Sequence, residues 1–392
     1  MTGPPDPKPP TPPPVQDPPS TPKPPPVQDP PPAPKPPPTP HPTDPPPQPT
    51  TRRDHLTEVQ PLTALDGRPL TLVHVQGPRP PTRGPVLVVH GAGVRAELFR
   101  PPLKRTFVDA LLDDGWDVWL LNWRASIDLD PVPWTLDQAA AYDHPAAVAH
   151  VLAATGTDRL KAVVHCQGST SFMMALSAGL LPEVETVVSN AVSLHPVVPG
   201  LSTFKIARLA PVIGRMMPSL SPAWGDRPAG PLSRLMVWFV RATHPECRNS
   251  VCRMVSFTYG SGWPALWSHA NLDEATHDWI RGEFADVPMT FFAQMNRCIR
   301  AGQLVSTEGI ESLPGSFADR APRTDARIVL LAGEDNRCFL AESQQRTYDF
   351  LNRHRPGRDS LHLLPGYGHL DVFLGRRAAV DTFPLILEEL AR

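Results

Sequence analysis

One cysteine, one histidine and two glycine-rich loops stand in an order that suits attack of a thiol on a carbonyl carbon. Cys166 lies in KAVVHCQGSTS, residues 161–171. Ala162, Val163 and Val164 form a short apolar run, as a buried strand requires. His165-Cys166-Gln167-Gly168 then turns sharply into SFMMALSAG, which reads as a helix. Strand, strained turn and helix together make a nucleophile elbow, which lifts one reactive side chain above a sheet. The helix N-terminus beside Cys166 favours its thiolate. Gly168 supplies the small residue expected two positions after the nucleophile. Val164, two positions before it, is bulkier and predicts a crowded turn.

The other groups follow from what a thiol needs. His90-Gly91-Ala92-Gly93 comes straight after the apolar strand PVLVV, residues 85–89. A glycine loop there turns backbone N–H groups toward a developing oxyanion, and the expected donors are Ala92 and Gln167. His369 stands in PGYGHLD, residues 365–371, where flanking glycines permit a tight loop after the last strand. It is the expected base. An orienting group should follow the strand ARIVLLA, within Gly333-Glu334-Asp335-Asn336. Asn336 is preferred, Asp335 is a near-equal choice and Glu334 is the least favoured. Asparagine is tolerable there because a cysteine–histidine pair partly ionises itself.

These groups need a sheet to hold them. Strands read at 70–76, 85–89, 116–122, 162–165 and 184–191 alternate with helices at 101–113 and 138–154, Pro145 kinking the second. The rhythm stops over about 196–320, then resumes with strands at 326–332 and 360–364 and helices near 340–353 and 376–391. The expected fold class is α/β, a mostly parallel sheet flanked by helices, with a cap or lid inserted after the fifth strand. The insertion carries the apolar run LMVWFV (235–240), with Trp224, Trp263, Trp267, Phe291 and Phe292 nearby. It reads either as an apolar lid or as a small core of its own.

Composition bounds the rest. A net charge of −2 without a basic run gives no reason to expect a nucleic-acid partner. Half of the 54 prolines fall in residues 1–50, which read as a disordered, polyproline-like tail, a potential ligand for SH3- or WW-type grooves. The folded domain is expected over 51–392. Five cysteines, an odd number, argue against a disulfide framework. Cys247 and Cys252 are the only close pair. With no matching second pair, zinc is not expected, nor any other cofactor. The N-terminus lacks the features of a signal peptide and no run reaches 18 apolar residues, so a cytoplasmic location is expected.

Residues from about 56 to 391 resemble the α/β-hydrolase superfamily, and more narrowly the hydrolase-like domain associated with cholesterol-oxidase-type flavin oxidoreductases. The stretches that carry this are WDVWLLNWRASIDL (116–129), YDHPAAVAHVL (142–152), VHCQGSTSF (164–172), GEDNRCFLAESQQRTYDFL (333–351) and PGYGHLDVFLG (365–375). The resemblance implies a nucleophile at Cys166, a base at His369 and an Asn-type third residue at Asn336. No dinucleotide fingerprint is present, so it implies no flavin. HCQGST and the DHPAAV helix are also similar to acid lipases. The cysteine elbow with NWR (122–124) is similar to polyhydroxyalkanoate synthases. Together these imply hydrolysis of an ester or thioester of an apolar acyl, lactone or sterol-like substrate. Acyl transfer, and a catalytically silent binding role, are the alternatives.

Overall fold

The computed structural model describes Gly3 and residues 52–191, 194–260 and 264–392. The expectations for the proline-rich tail and for Trp263 lie outside the described residues.

Ten strands are present among them. β1 (Leu56–Thr63), β2 (Pro69–Gln76), β3 (Pro85–Val89), β4 (Asp117–Asn122), β5 (Leu160–His165) and β6 (Val184–Asn190) come first. β7 (Ser219–Leu220) and β8 (Val287–Pro288) belong to the insertion, and β9 (Arg327–Gly333) and β10 (Ser360–Leu364) complete the sheet. The eight-stranded sheet runs β1-β2-β4-β3-β5-β6-β9-β10. Every neighbour from β4 to β10 is parallel, and β1 and β2 form an antiparallel edge. The chain has the α/β-hydrolase fold.

The central strands are mostly apolar, and β3 is so throughout, because both faces are covered. Val86, Val88, Val163, Val329 and Leu331 pack into one core, and Leu87, Val89, Val164 and Leu330 into the other. Alternate side chains of one strand thus feed two separate layers of helices. The sequence reading missed β1, whose side chains are nearly all exposed and which carries Pro61. The helix expected over 138–154 is broken into Leu136–Gln138, a π-helical turn Ala139–Asp143 and Ala-rich His144–Thr155. Pro145 has no N–H to give, and the backbone ahead of it widens accordingly.

The insertion falls between β6 and β9 as expected, and it is mostly helical. Helix Pro231–Thr243 resolves the question about the run at 235–240. Val237 and Val240 are buried, whereas Leu235, Trp238 and Phe239 face outward. Trp224, Trp267, Phe291 and Phe292 are buried and join the apolar core that also takes Leu87, Val89, Val164 and Leu330 from the sheet. No described helix is long and apolar enough to cross a membrane.

Candidate active site

The strand order places the chemistry. β3 and β5 are neighbours, so the loop after β3 and the elbow after β5 leave the sheet side by side. Cys166 is the first residue of helix Cys166–Ala178 and has φ of 55°, a left-handed conformation that a β-carbon resists. The turn tolerates Val164 because the space comes from elsewhere. A β-carbon on Gly168 would lie 2.1 Å from the His90 carbonyl oxygen, and one on Gly91 would lie 2.8 Å from Cys166 Cβ. Both glycines let the loop and the elbow touch.

The backbone N–H groups of Gln167 and Ala92 are both directed at Cys166 Sγ. Burial nevertheless outweighs them and pushes the thiol up to about 12. Sγ and one ring nitrogen each of His165 and His369 lie within 4.8 Å of one another. The sulfur and the distant imidazole therefore share one face of the sheet. His369 is fully buried, which lowers its imidazole to about 3, and its Nε2 has no hydrogen-bond partner.

Asn336, not Asp335, meets His369. Asn336 is buried, and its Nδ2 lies 3.0 Å from His369 Nδ1. Its Oδ1 accepts from the N–H groups of Cys338 (2.9 Å) and Phe339 (3.2 Å). Asp335 and Glu334 are exposed, and Asp335 contributes only its N–H, to the Tyr367 carbonyl at 2.9 Å. Of Asn336 and Asp335, only Asn336 is placed against the imidazole. The turn after Gly333 aims one side chain inward, and that side chain is Asn336.

His369 must reach back across two strands, because β10 is separated from β5 by β9 and β6. Asn190, at the end of β6, bridges that gap. Its Nδ2 donates to His165 Nδ1 (2.9 Å) and to the His369 carbonyl (3.1 Å). The sequence reading had no role for Asn190; the polar pair Ser189-Asn190 straight after Val187-Val188 was the available signal. Asp371 fixes the loop from the other side, accepting from Gly368 N–H (2.7 Å) and Ser268 N–H (3.2 Å). The N–H groups of His369 and Leu370 both donate to the Leu266 carbonyl in the insertion, at 3.1 and 2.7 Å.

The stretches NWR and YDHP turn out to be scaffolding. Trp123 Nε1 donates to the His90 carbonyl at 2.9 Å, holding the loop after β3. Arg124 pairs with Asp143 at 2.6 Å, and both are buried. His144 Nε2 meets Ser171 Oγ on the elbow helix at 2.7 Å. Cys247, Cys252, His269 and His277 form a second grouping, in the insertion, of which the sequence singled out only the two cysteines.

A family model described as alpha/beta hydrolase fold matches residues 84–216. Sterol esterase 2 of Saccharomyces cerevisiae is 27% identical over 135 residues, 29% of this chain and 25% of that protein. Human lipase member K is 35% identical over 99 residues, 22% of this chain and 24% of that protein. The chain thus spans about a quarter of the length of these curated relatives. Among solved structures, a soluble variant of monoglyceride lipase from Saccharomyces cerevisiae aligns with 88% of this chain and 98% of its own, at 14% identity and a TM-score of 0.55. A thermophilic esterase from Thermogutta terrifontis aligns with 86% and 100%, at 14% identity and a TM-score of 0.51.

Proposed function

We propose that this protein is an ester or thioester hydrolase that works through an acyl intermediate on Cys166. One observation carries the reading: the sulfur stands in reach of a buried imidazole while two backbone N–H groups point at it. In the proposed cycle, which needs the ring proton of His369 on Nδ1, Sγ attacks the carbonyl carbon as its proton passes to His369 Nε2. The Ala92 and Gln167 N–H groups hold the oxyanion, and each such donor is typically worth about 3 kcal/mol to the transition state. His369 returns the proton to the departing alcohol or thiol, leaving an acyl group on sulfur. Water then gives its proton to His369, adds to the acyl carbon and frees the acid, and the thiol is restored.

An apolar acyl, lactone or sterol-like ester suits the cap. Leu201, Phe204, Val212, Met216, Leu235 and Trp238 are exposed on its helices. A narrow, mostly apolar pocket in the insertion is lined by Lys205, Ile206, Leu209, Ile213, Phe257 and Phe292. The names of the sterol esterase and lipase relatives agree with such a substrate.

The orientation of Asn336 favours a second reading, a slow enzyme or a protein that binds acyl compounds without turning them over. For Nε2 to take a proton, the ring's own proton must sit on Nδ1. Here Nδ1 faces an amide donor, so Nε2 carries it instead. Intact-mass spectrometry after exposure to activated esters and thioesters separates the readings. Acyl adducts on Cys166 that then hydrolyse support the hydrolase. Adducts equally frequent in Cys166→Ala sink it, and the complete absence of adducts leaves the binding role standing.

A further inference from the structure

We infer that the insertion holds a tetrahedral divalent cation of the zinc type, bound by Cys247, Cys252, His269 and His277. One ligand atom from each lies within 4.8 Å of every other. Cys252 Sγ and His269 Nε2 are 3.3 Å apart. A zinc ion with Zn–S of about 2.3 Å and Zn–N of about 2.0 Å sets sulfur and nitrogen ligands about 3.5 Å apart, so little movement is needed. The rings of His269 and His277 stand perpendicular with centroids 4.9 Å apart, and the Cys247 sulfur interacts with the other three side chains. Two thiolates and two imidazoles are the donor set of structural zinc sites, closed to substrate.

Two independent observations point to a missing positive charge. His277 Nε2 is buried with no hydrogen-bond partner. Both carboxylate oxygens of Glu246, next to Cys247, are also buried and unpartnered, and the carboxylate acts electrostatically on Cys252. A buried carboxylate without a donor is costly, and a dication at its side offsets that cost. Binding breaks two S–H bonds, releases two protons and leaves two thiolates on the metal. The ligands are also oriented from behind. Asn249 Oδ1 accepts from Cys252 N–H at 3.1 Å, and its Nδ2 donates to the His277 carbonyl at 2.7 Å.

Zinc was not expected because Cys247 and Cys252 have no matching second cysteine pair. The second pair is instead two histidines eight positions apart, one in the turn His269–Asn271 and one on helix Glu274–Trp279. Only the fold of the insertion brings them to Cys247 and Cys252. The position gives the metal a purpose. His269 adjoins Leu266, Ser268 and Asn271, the residues whose hydrogen bonds hold Gly366, His369 and Asp371. The ion therefore clamps the insertion onto the loop that carries the imidazole.

The full chain, purified without chelator, should carry one equivalent of zinc by plasma mass spectrometry. Cys166→Ala should retain it, and Cys252→Ser and His277→Gln should lose it. Cobalt exchanged into the unmutated chain should give intense tetrahedral d–d bands and a thiolate charge-transfer band. That spectrum decides the matter should the ligand variants not fold. A chain without metal whose cobalt spectrum lacks the charge-transfer band overturns the inference. So does metal lost in Cys166→Ala but kept in Cys252→Ser, which would place it at His165, Cys166 and His369. A Cys247–Cys252 disulfide in the purified protein overturns it as well.

Discussion

Asn336 presents its amide Nδ2 to His369 Nδ1 at 3.0 Å and is unable to turn round without loss, because its Oδ1 already serves the N–H groups of Cys338 and Phe339. Swapping the amide ends would set Nδ2 against two backbone donors, each costing about 1–3 kcal/mol as a buried unsatisfied group. The asparagine is thus a tautomer lock. It leaves the ring proton on Nε2, facing the thiol that the imidazole would need to deprotonate.

A carboxylate in the same place would reverse this. In Asn336→Asp, one oxygen keeps the Cys338 and Phe339 N–H groups and the other accepts from Nδ1–H, freeing Nε2 as a base. The same amide-for-acid exchange, made in the opposite direction in a serine protease, lowers kcat by about 10⁴. We expect Asn336→Asp to raise kcat/KM for an activated ester at pH 7 by about 10²-fold or more. Steady-state rates of the two proteins decide it, and an unchanged or lower rate would show that His369 is not limited by its tautomer.

The pH profile should differ in shape as well. Burial holds the Cys166 thiol up to about 12 and the His369 imidazole down to about 3, so both are neutral across the physiological range. The reactive thiolate then forms by loss of a proton to solvent. Modification of Cys166 by iodoacetamide should accelerate about tenfold per pH unit between pH 7 and 10. A plateau beginning near neutrality would instead mean a thiolate–imidazolium pair, and the argument from Asn336 would fail.

The sheet and the elbow were legible in the sequence because their signals are local. PVLVV and the IVLLA of β9 (328–332) are all-apolar runs that suit a doubly covered sheet, and the turn after each carries its own glycine. What was not legible depends on side chains brought together over long distances. Nothing near Asn190 says that its amide will join His165 to the His369 loop. Nothing near His269 says that Cys252 will meet it. β1 was hidden for the opposite reason, since an edge strand exposed along most of its length has no apolar pattern to read.

Acid should destabilise this protein early. His90, His144, His165 and His369 are all buried and held below the usual imidazole value of 6.5 by loss of water, to about 4 for His90 and about 3 for His144 and His369. Each takes up a proton more readily when unfolded. Stability is therefore full above pH 6.5 and declines as pH falls from there toward 3. Thermal melts should show Tm dropping steadily from pH 6.5 to 4, and a flat profile across that range would contradict the burial of these rings.

Arg124 tests whether the NWR stretch is scaffold or chemistry. Its guanidinium reaches Asp143 through Nε and Nη2, the backbone N–H of Arg124 adds a bond to the same carboxylate, and Asp66 accepts from the same Nη2 at 3.0 Å. Asp143 is fully buried, so removing its partner strands a carboxylate away from water. Breaking a buried pair in this way typically costs about 3–5 kcal/mol. Arg124→Leu should lower the unfolding free energy from urea titration by that amount, and Arg124→Leu with Asp143→Leu should recover much of it, because the buried Asp143 carboxylate is then gone. At temperatures where both variants remain folded, acyl loading of Cys166 should persist. Loss of loading in a folded Arg124→Leu protein would place the guanidinium at the substrate instead.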